Sequence, residues 1–545
     1  MRLSTSCLAR RTHRRLPSLD MRGAKWTLLA ACLTSFNCFA AATTTAAPSL
    51  VTVTTPAGAY TGERAPDLHI FRGIRYAEPP VGPLRWKPPV ALTNRTEPVD
   101  ATRFGADCAQ QSPYPESRGN GNSEDCLFLN VWAPADSTKP LPVIVYIHGG
   151  GFEYGSGAIP MYDGGSLARH GAVVVTFNYR LGIFGFMAHA GLDAESAQHT
   201  SGNYGLLDQM LALDWVQKNI ASLGGDPHRV TLMGQSAGSR SISMLMTSPA
   251  AAPLFQQVIL QSGPGLRHIT TLPEAEQLSA KLGTIDNLRR MSTAELLKIS
   301  GEMKQSQAGL LEPSWAKPVV DNWIVPGQQF GKSGTGAFRA VPMLLGTNAD
   351  EGGAFVSNLK DKNAEDFDRH LVKNFGNLAP RLAAIYDTKN GEKITQAYAR
   401  LWTDMEFDVP ASWLSTLAAK QQPATYRYSF ARHRDNGAAL PVHGGELQYV
   451  FGTLDTPHKG KVRPAAAQDW ALSENIQKRW VAFAANGAPS PETGLRWPSY
   501  AQAQQCLILD TPVRVQSCPD THTVERILAH ENSPALQQGF SGMRR

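Results

Sequence analysis

Four short runs in the middle of the chain are apolar without alternation: residues 143–147 (VIVYI), 172–177 (AVVVTF), 230–233 (VTLM) and 258–260 (VIL). A strand with one wet face alternates apolar and polar positions, so unbroken runs predict strands covered on both faces. Between the second and third run, Leu206, Leu207, Met210, Leu211, Leu213, Trp215, Val216 and Ile220 recur at helical spacing and predict a helix over residues 204–222. Strand, helix and strand in that order predict βα units in a mainly parallel sheet. Upstream, residues 51–54 and 70–74 read as short strands ahead of the turn EPPVGP at 78–83. Residues 275–310 and 356–430 hold more helix formers, with helices predicted at 274–282, 293–304 and 364–375; both stretches read as insertions over the sheet. Neither an internal repeat nor a separating linker interrupts 48–530, which predicts one α/β domain there and a polar tail over 531–545.

With 545 residues, 42% hydrophobic and 18% charged, the chain can bury a sizeable core, which excludes disordered, collagen-like and low-complexity classes. The net charge of +6 invites a nucleic-acid partner until it is located. Residues 1–47 carry seven basic side chains (Arg2, Arg10, Arg11, Arg14, Arg15, Arg22, Lys25) and one acid, Asp20, leaving 45 of each sign in the rest. No global field remains for a polyanion, so no nucleic-acid partner is expected. The basic stretch runs into a mostly apolar segment, 26–42, interrupted by Thr34, Ser35 and Asn37, and then into small residues at 40–42 and 46–47. That is the build of an export leader over 1–47 rather than of a membrane span, and it predicts a secreted or periplasmic protein. A disordered tail and a lipoprotein box at Leu29-Ala30-Ala31-Cys32 are the alternatives, and Met21 is a second candidate start. Removing the leader takes Cys7, Cys32 and Cys38 and leaves Cys108, Cys126, Cys506 and Cys518. An even set suits disulfides in an oxidising compartment. Three pairings are open, the sequence-local one closing two short loops; four free thiols are the other option. No Cys-x-x-Cys or His-x-x-x-His spacing points to a metal, and no cofactor is implied.

The most informative stretch is VTLMGQSAGS at 230–239: a strand, then Gly-x-Ser-x-Gly, then a helix beginning near Ala237. A serine there stands on a strained turn above the sheet, near the positive end of a helix, which makes Ser236 a candidate nucleophile. Independently, His148-Gly149-Gly150-Gly151-Phe152 follows the first apolar run directly. Three glycines leave backbone N–H groups able to face a ligand, and acyl transfer needs such donors for its oxyanion. The amides of Gly150, Gly151 and Ala237 are the candidates. A phosphate-binding loop would instead carry a Walker lysine or G-x-G-x-x-G, and neither follows. His148 reads as a loop residue rather than a base. A serine also needs a histidine oriented by a carboxylate, and fourteen histidines leave that choice open.

The segments FRGIRYAEPP at 71–80 and SEDCLFLNVW at 123–132, followed by the two glycine motifs, resemble the type-B carboxylesterase and cholinesterase family of α/β-hydrolases from about residue 50 to 525. The resemblance implies an α/β-hydrolase fold with helical insertions over the active site. It implies that GTNADEG at 346–352 supplies the acid, Glu351 rather than its neighbour Asp350, and that PVHGGEL at 441–447 supplies the base, His443 rather than His433. It further implies a Cys108–Cys126 disulfide, ion pairs Arg85–Glu124 and Arg180–Asp208, and Ser262 as a serine near the acid. Where many relatives carry glutamate before the nucleophile this chain has Gln235, and Ala354 stands where a choline-site aromatic is expected; both argue against a choline ester. Arg240 and Arg267-His268 are candidate cations for carboxylate-bearing esters of the fumonisin type. Phe152, Trp323 and Phe355 are candidate apolar pocket walls, with core packing as the alternative for each. The reading is a secreted serine carboxylesterase acting on small ester substrates. A non-catalytic adhesion or ligand-binding member of the fold, and an amidase or thioesterase, are the alternatives.

Overall fold

The structure, a computed structural model, describes residues 49–530 apart from 94–95, 264–268, 306–315, 329–337, 357–362, 387–392, 435–440 and 491–493. The leader, the tail, Arg267 and His268 lie outside the described residues. An antiparallel meander comes first: β1 (Ser49–Thr55), β2 (Gly58–Arg64) and β3 (Leu68–Arg75), followed by β4 (Phe128–Pro134). The parallel strands are β5 (Leu141–Ile147), β6 (Val173–Phe177), β7 (Gly225–Gln235), β8 (Gln257–Gln261), β9 (Met343–Asn348), β10 (Thr425–Phe430) and β11 (Gln505–Leu509), edged by antiparallel β12 (Arg514–Ser517). They lie side by side in the order β1-β2-β3-β4-β6-β5-β7-β8-β9-β10-β11-β12, and with Val99–Asp100 beside β2 they make a sheet of thirteen strands among the described residues.

The main helices are α1 (Tyr204–Asn219), α2 (Ala237–Thr247), α3 (Leu272–Ser279), α4 (Thr293–Gln305), α5 (Ala364–Phe375), α6 (Ile394–Thr403), α7 (Val409–Ala419) and α8 (Ala467–Asn486). Successive residues of β5 supply both faces of the sheet. Val143, Val145 and Ile147 join Leu213 and Val216 of α1 and Ile242 and Leu245 of α2. Ile144 and Tyr146 join Leu472, Ile476 and Trp480 of α8. Burial on both faces is why these runs do not alternate. Helices α5 and α6 pack a third core around Phe367, Leu371, Tyr398 and Leu401 with Val409 at the start of α7, whose Ala411, Leu414 and Ala418 join the first core.

Several predicted elements fall where expected, and the differences have physical causes. Helix α1 stops at Asn219 and its last residues tighten into a 3-10 turn, Ile220–Leu223, ended by Gly224 at φ +83°. Helix α3 begins two residues early because the Thr271 N–H donates to Glu274 Oε2 at 2.9 Å and caps it. The stretch 356–430 is not wholly an insertion: it ends in β10, which pairs with both β9 and β11 in the middle of the sheet. Both sequence-local disulfides form, Cys108–Cys126 and Cys506–Cys518. Arg85 forks onto Glu124 at 2.6 and 2.7 Å, and Arg180 onto Asp208 at 2.7 and 2.8 Å, all four side chains nearly buried. No helix among the described residues is long and apolar enough to cross a membrane.

Strand order decides where a site can form. From β5 the chain crosses to β6 on one side and then returns to β7 on the other. The connections therefore part above the carboxyl ends of β5 and β7, which opens a crevice there. Both glycine motifs lie at those two ends.

Candidate active site

Ser236 sits between β7 and α2 at φ +55°, ψ −121°, a conformation that L-residues rarely adopt. Two glycines make that turn possible. A Cβ at Gly238 would stand 2.0 Å from the Ile147 carbonyl oxygen, and one at Gly234 would stand 2.6 Å from the Gly238 carbonyl carbon. The glycine loop after β5 closes on the same point, for a Cβ at Gly149 would lie 3.1 Å from Ser236 Cβ. Gly150 and Gly151 have φ of +109° and +62°, and neither N–H has an acceptor among the described residues. Ala237 opens α2, where first-turn N–H groups have no intrahelical acceptor.

At the end of β9, Glu351 is fully buried; its Oε1 accepts the Asn348 N–H at 2.7 Å and its Oε2 faces His443 Nδ1 at 2.6 Å. A carboxylate only accepts, so Nδ1 carries the proton. Asp350 does other work: its side chain accepts the Gly353 N–H and caps a 3-10 turn, while its backbone N–H bonds to Pro441. Burial raises the Asp350 carboxyl. Asn348 also ties the two loops together, donating to the Val442 carbonyl at 2.9 Å and to Glu446 Oε2 at 2.7 Å. Burial, helped by the charge of Glu351, pushes Glu446 up to about 7. His443 Nε2 meets the Gln235 side-chain amide at 3.1 Å, and among the described residues Ser236 makes no hydrogen bond to it. The structure thus joins Glu351 to His443 and sets the ring beside the residue next to Ser236, without the serine–histidine bond itself. Free enzymes commonly leave that bond long until substrate arrives.

His148 is buried, stacks on Tyr179 at 4.5 Å between ring centres, and is pushed down to about 4 by burial, which leaves it a neutral structural group. His433 lies half-buried beyond β10, with Nδ1 unpartnered among the described residues. Ser262 is buried beside β9, its N–H bonded to the Gly346 carbonyl. Among the described residues no group of three or more His, Cys, Asp or Glu is placed to hold a metal ion.

The sequence profile described as the carboxylesterase family matches residues 49–527. The chain belongs to the carboxylesterase family. It is a carboxylic ester hydrolase, which sets aside the non-catalytic alternative. It is 39% identical over 467 residues to a fumonisin B1 esterase of Sphingopyxis macrogoltabida, covering 84% of this chain and 86% of that protein. It is 35% identical to a para-nitrobenzyl esterase of Bacillus subtilis (strain 168), covering 87% of this chain and 98% of that one. Among solved structures, a thermophilic PNB esterase matches at a TM-score of 0.78 and a PNB esterase at 0.77, each 33% identical and covering 87% of this chain and 99% of its own.

Around the esterase's histidine, the residues singled out for substrate behave differently from one another. Phe355 stays 38% exposed with its ring 5.1 Å from that of His443. Phe407 faces the ring at 5.0 Å from a π-helical turn, Asp404–Asp408, which the sequence reading had missed inside a helical stretch. Phe152 is buried against Phe186 at 5.2 Å and is core, not an open wall. Trp323 lines a separate cavity of about 180 Å³ with Trp86, Tyr204 and Leu207. Arg240 is no unbalanced cation, for its guanidinium pairs with buried Glu406 of the π-turn. Lys317 reaches the glycine loop, where it donates to the Gly151 carbonyl and pairs with Glu153.

Proposed function

We propose that this esterase is an exported serine hydrolase whose triad is Ser236, His443 and Glu351. The observation that carries the reading is the 2.6 Å contact of His443 Nδ1 with buried Glu351, beside the strained turn of Ser236. Ser236 Oγ attacks the ester carbonyl carbon while its proton passes to His443 Nε2. The carbonyl oxygen takes the negative charge and faces the amides of Gly150, Gly151 and Ala237, where each preorganised donor is worth roughly 3–4 kcal/mol. Collapse breaks the carbon–oxygen bond to the alcohol, which leaves with the proton from Nε2. Water then attacks the acyl-enzyme, giving its proton to Nε2; the acid departs and Ser236 recovers the proton. Glu351 holds the tautomer throughout. Ser236→Ala should fold as the parent does, lose at least about a thousandfold in kcat on a short-chain aryl ester, and resist labelling by a fluorophosphonate. Turnover near the parent rate would overturn the assignment.

For the substrate, the Phe355–Phe407 wall and the neutralised Arg240 support uncharged esters with apolar or aromatic groups, in keeping with the para-nitrobenzyl esterase relative. A second reading, carboxylate-bearing esters of the fumonisin type, draws on the relative named fumonisin B1 esterase. Matched neutral, anionic and cationic esters, with an amide and a thioester, assayed at low and high salt separate them. A preference for the anionic ester that fades with salt favours the second reading. Export is supported by the leader's build and by two disulfides. Finding the expressed protein in the cytoplasmic fraction with its leader intact would overturn it.

A further inference from the structure

Resting on that triad, we propose that Gln235 is a positioning residue that holds His443 in its neutral, proton-accepting form until substrate arrives. Gln235 ends β7, where parallel pairing with Gln261 of β8 fixes its backbone, and it is 4% exposed. Its carboxamide is wedged between the two loops that meet at Ser236. A Cβ at Gly149 would stand 2.7 Å from Gln235 Oε1, and a Cβ at Gly444 would find Nε2 at 3.8 Å. With the Nδ1 proton committed to Glu351, the lone pair of the ring lies on Nε2, and the Gln235 NH2 group donates to it. In this orientation of the amide the bond exists only while Nε2 is unprotonated, so it favours the neutral ring.

Of the other groups around the imidazole, Glu351 acts against it. Glu351 faces Nδ1, and Glu446 senses the ring from three residues along the same loop. Asp350 and Asp408 lie near enough to Glu351 to feel its charge. The π-turn offers the ring of Phe407 and carries Glu406, whose charge is matched by Arg240; Phe355 covers another side. Among the described residues Glu351, at Nδ1, is the group whose charge favours an imidazolium, while burial keeps Glu446 and Asp408 harder to ionise and Arg427 acts on Asp408. Gln235 is the polar group that opposes Glu351 at the atom where the base must be empty. A carboxamide also yields its place readily, since it carries no charge that would bind Nε2 tightly once Ser236 or water needs it.

The test compares the acidic limb of kcat/KM, which reports the free enzyme's base. Gln235→Glu puts a carboxylate against Nε2 and should move the limb up by about one pH unit or more. Gln235→Met removes the donor at similar length and should move it the same way by a smaller step. Melting curves establish that each variant folds, and the Met variant carries the test alone should the buried Glu prevent folding. A Gln235 that only packed would lower rates at every pH and leave the limb in place. Limbs coinciding with that of the parent, in an enzyme that His443→Ala inactivates, overturn the proposal and spare the triad. An active His443→Ala overturns the triad and the proposal together.

Discussion

At the residue scale, two neighbouring acids show how geometry separates roles that sequence leaves adjacent. Glu351 receives a backbone N–H on one oxygen and the ring of His443 on the other, while Asp350 caps a turn. Glu351→Gln should therefore cost on the order of 10³–10⁴ in kcat, because an amide no longer stabilises the imidazolium or enforces its tautomer. Asp350→Asn should leave kcat within a few-fold and lower stability by no more than about 1 kcal/mol, the scale of one cap. Steady-state kinetics and a melt on the two variants check both figures. The acid's identity came from the motif at 346–352, which is local. The fate of Arg240 was not legible, since Glu406 lies 166 residues further along and only the π-turn brings it in. Nor was the Gln235–His443 contact: the missing negative charge can be read from the letter Q, but the direction of the amide cannot.

At the scale of elements, the strand-turn-helix around Ser236 holds its φ of +55° because β5 and α2 approach to within contact of glycines. Gly238→Ala pushes a methyl group 2.0 Å from the Ile147 oxygen, which is backbone in a central strand and cannot swing aside. We expect a loss of about 1–3 kcal/mol, read as a lower Tm. A larger loss of active sites should appear on titration with a fluorophosphonate, since the turn must open to admit the atom. The strands flanking this turn were legible because burial on both faces writes itself as unbroken apolar letters. Strand β10, TYRYSF, was not: it alternates polar and aromatic residues as a strand should, but it lacks the unbroken aliphatic run of its neighbours and closes a stretch rich in helix formers, which hid it. It is nonetheless central, and Tyr428 and Phe430 enter the core on one of its faces.

Over the whole molecule, stability and catalysis should favour opposite ends of the pH scale. Three carboxyls near the catalytic end of the sheet, Glu446 and Asp408 buried and Asp404 half-buried, are pushed up, chiefly by loss of hydration: Glu446 to about 7, Asp404 to about 7 and Asp408 to about 6. A carboxyl raised on folding binds its proton more tightly in the native state. Its contribution is complete below the unfolded value near 4 and is lost as pH climbs through the folded one, at about 1.4 kcal/mol per unit of difference. Glu195 works the other way: Arg289 and Lys87 hold it down to about 2, so its contribution is present above pH 4.5 and disappears below that. The two trends place maximal Tm near pH 4.5, with a decline as pH rises to about 7. Turnover instead needs an unprotonated Nε2 and improves in the alkaline direction. Glu446→Gln isolates one of these groups, for an amide keeps the shape and the Asn348 contact but cannot ionise. Its Tm should fall less than that of the parent between about pH 4.5 and 7. A parallel decline in both proteins would mean that Glu446 stays ionised in the folded chain and that its burial is compensated by the Asn348 and Gln261 amides that donate to it.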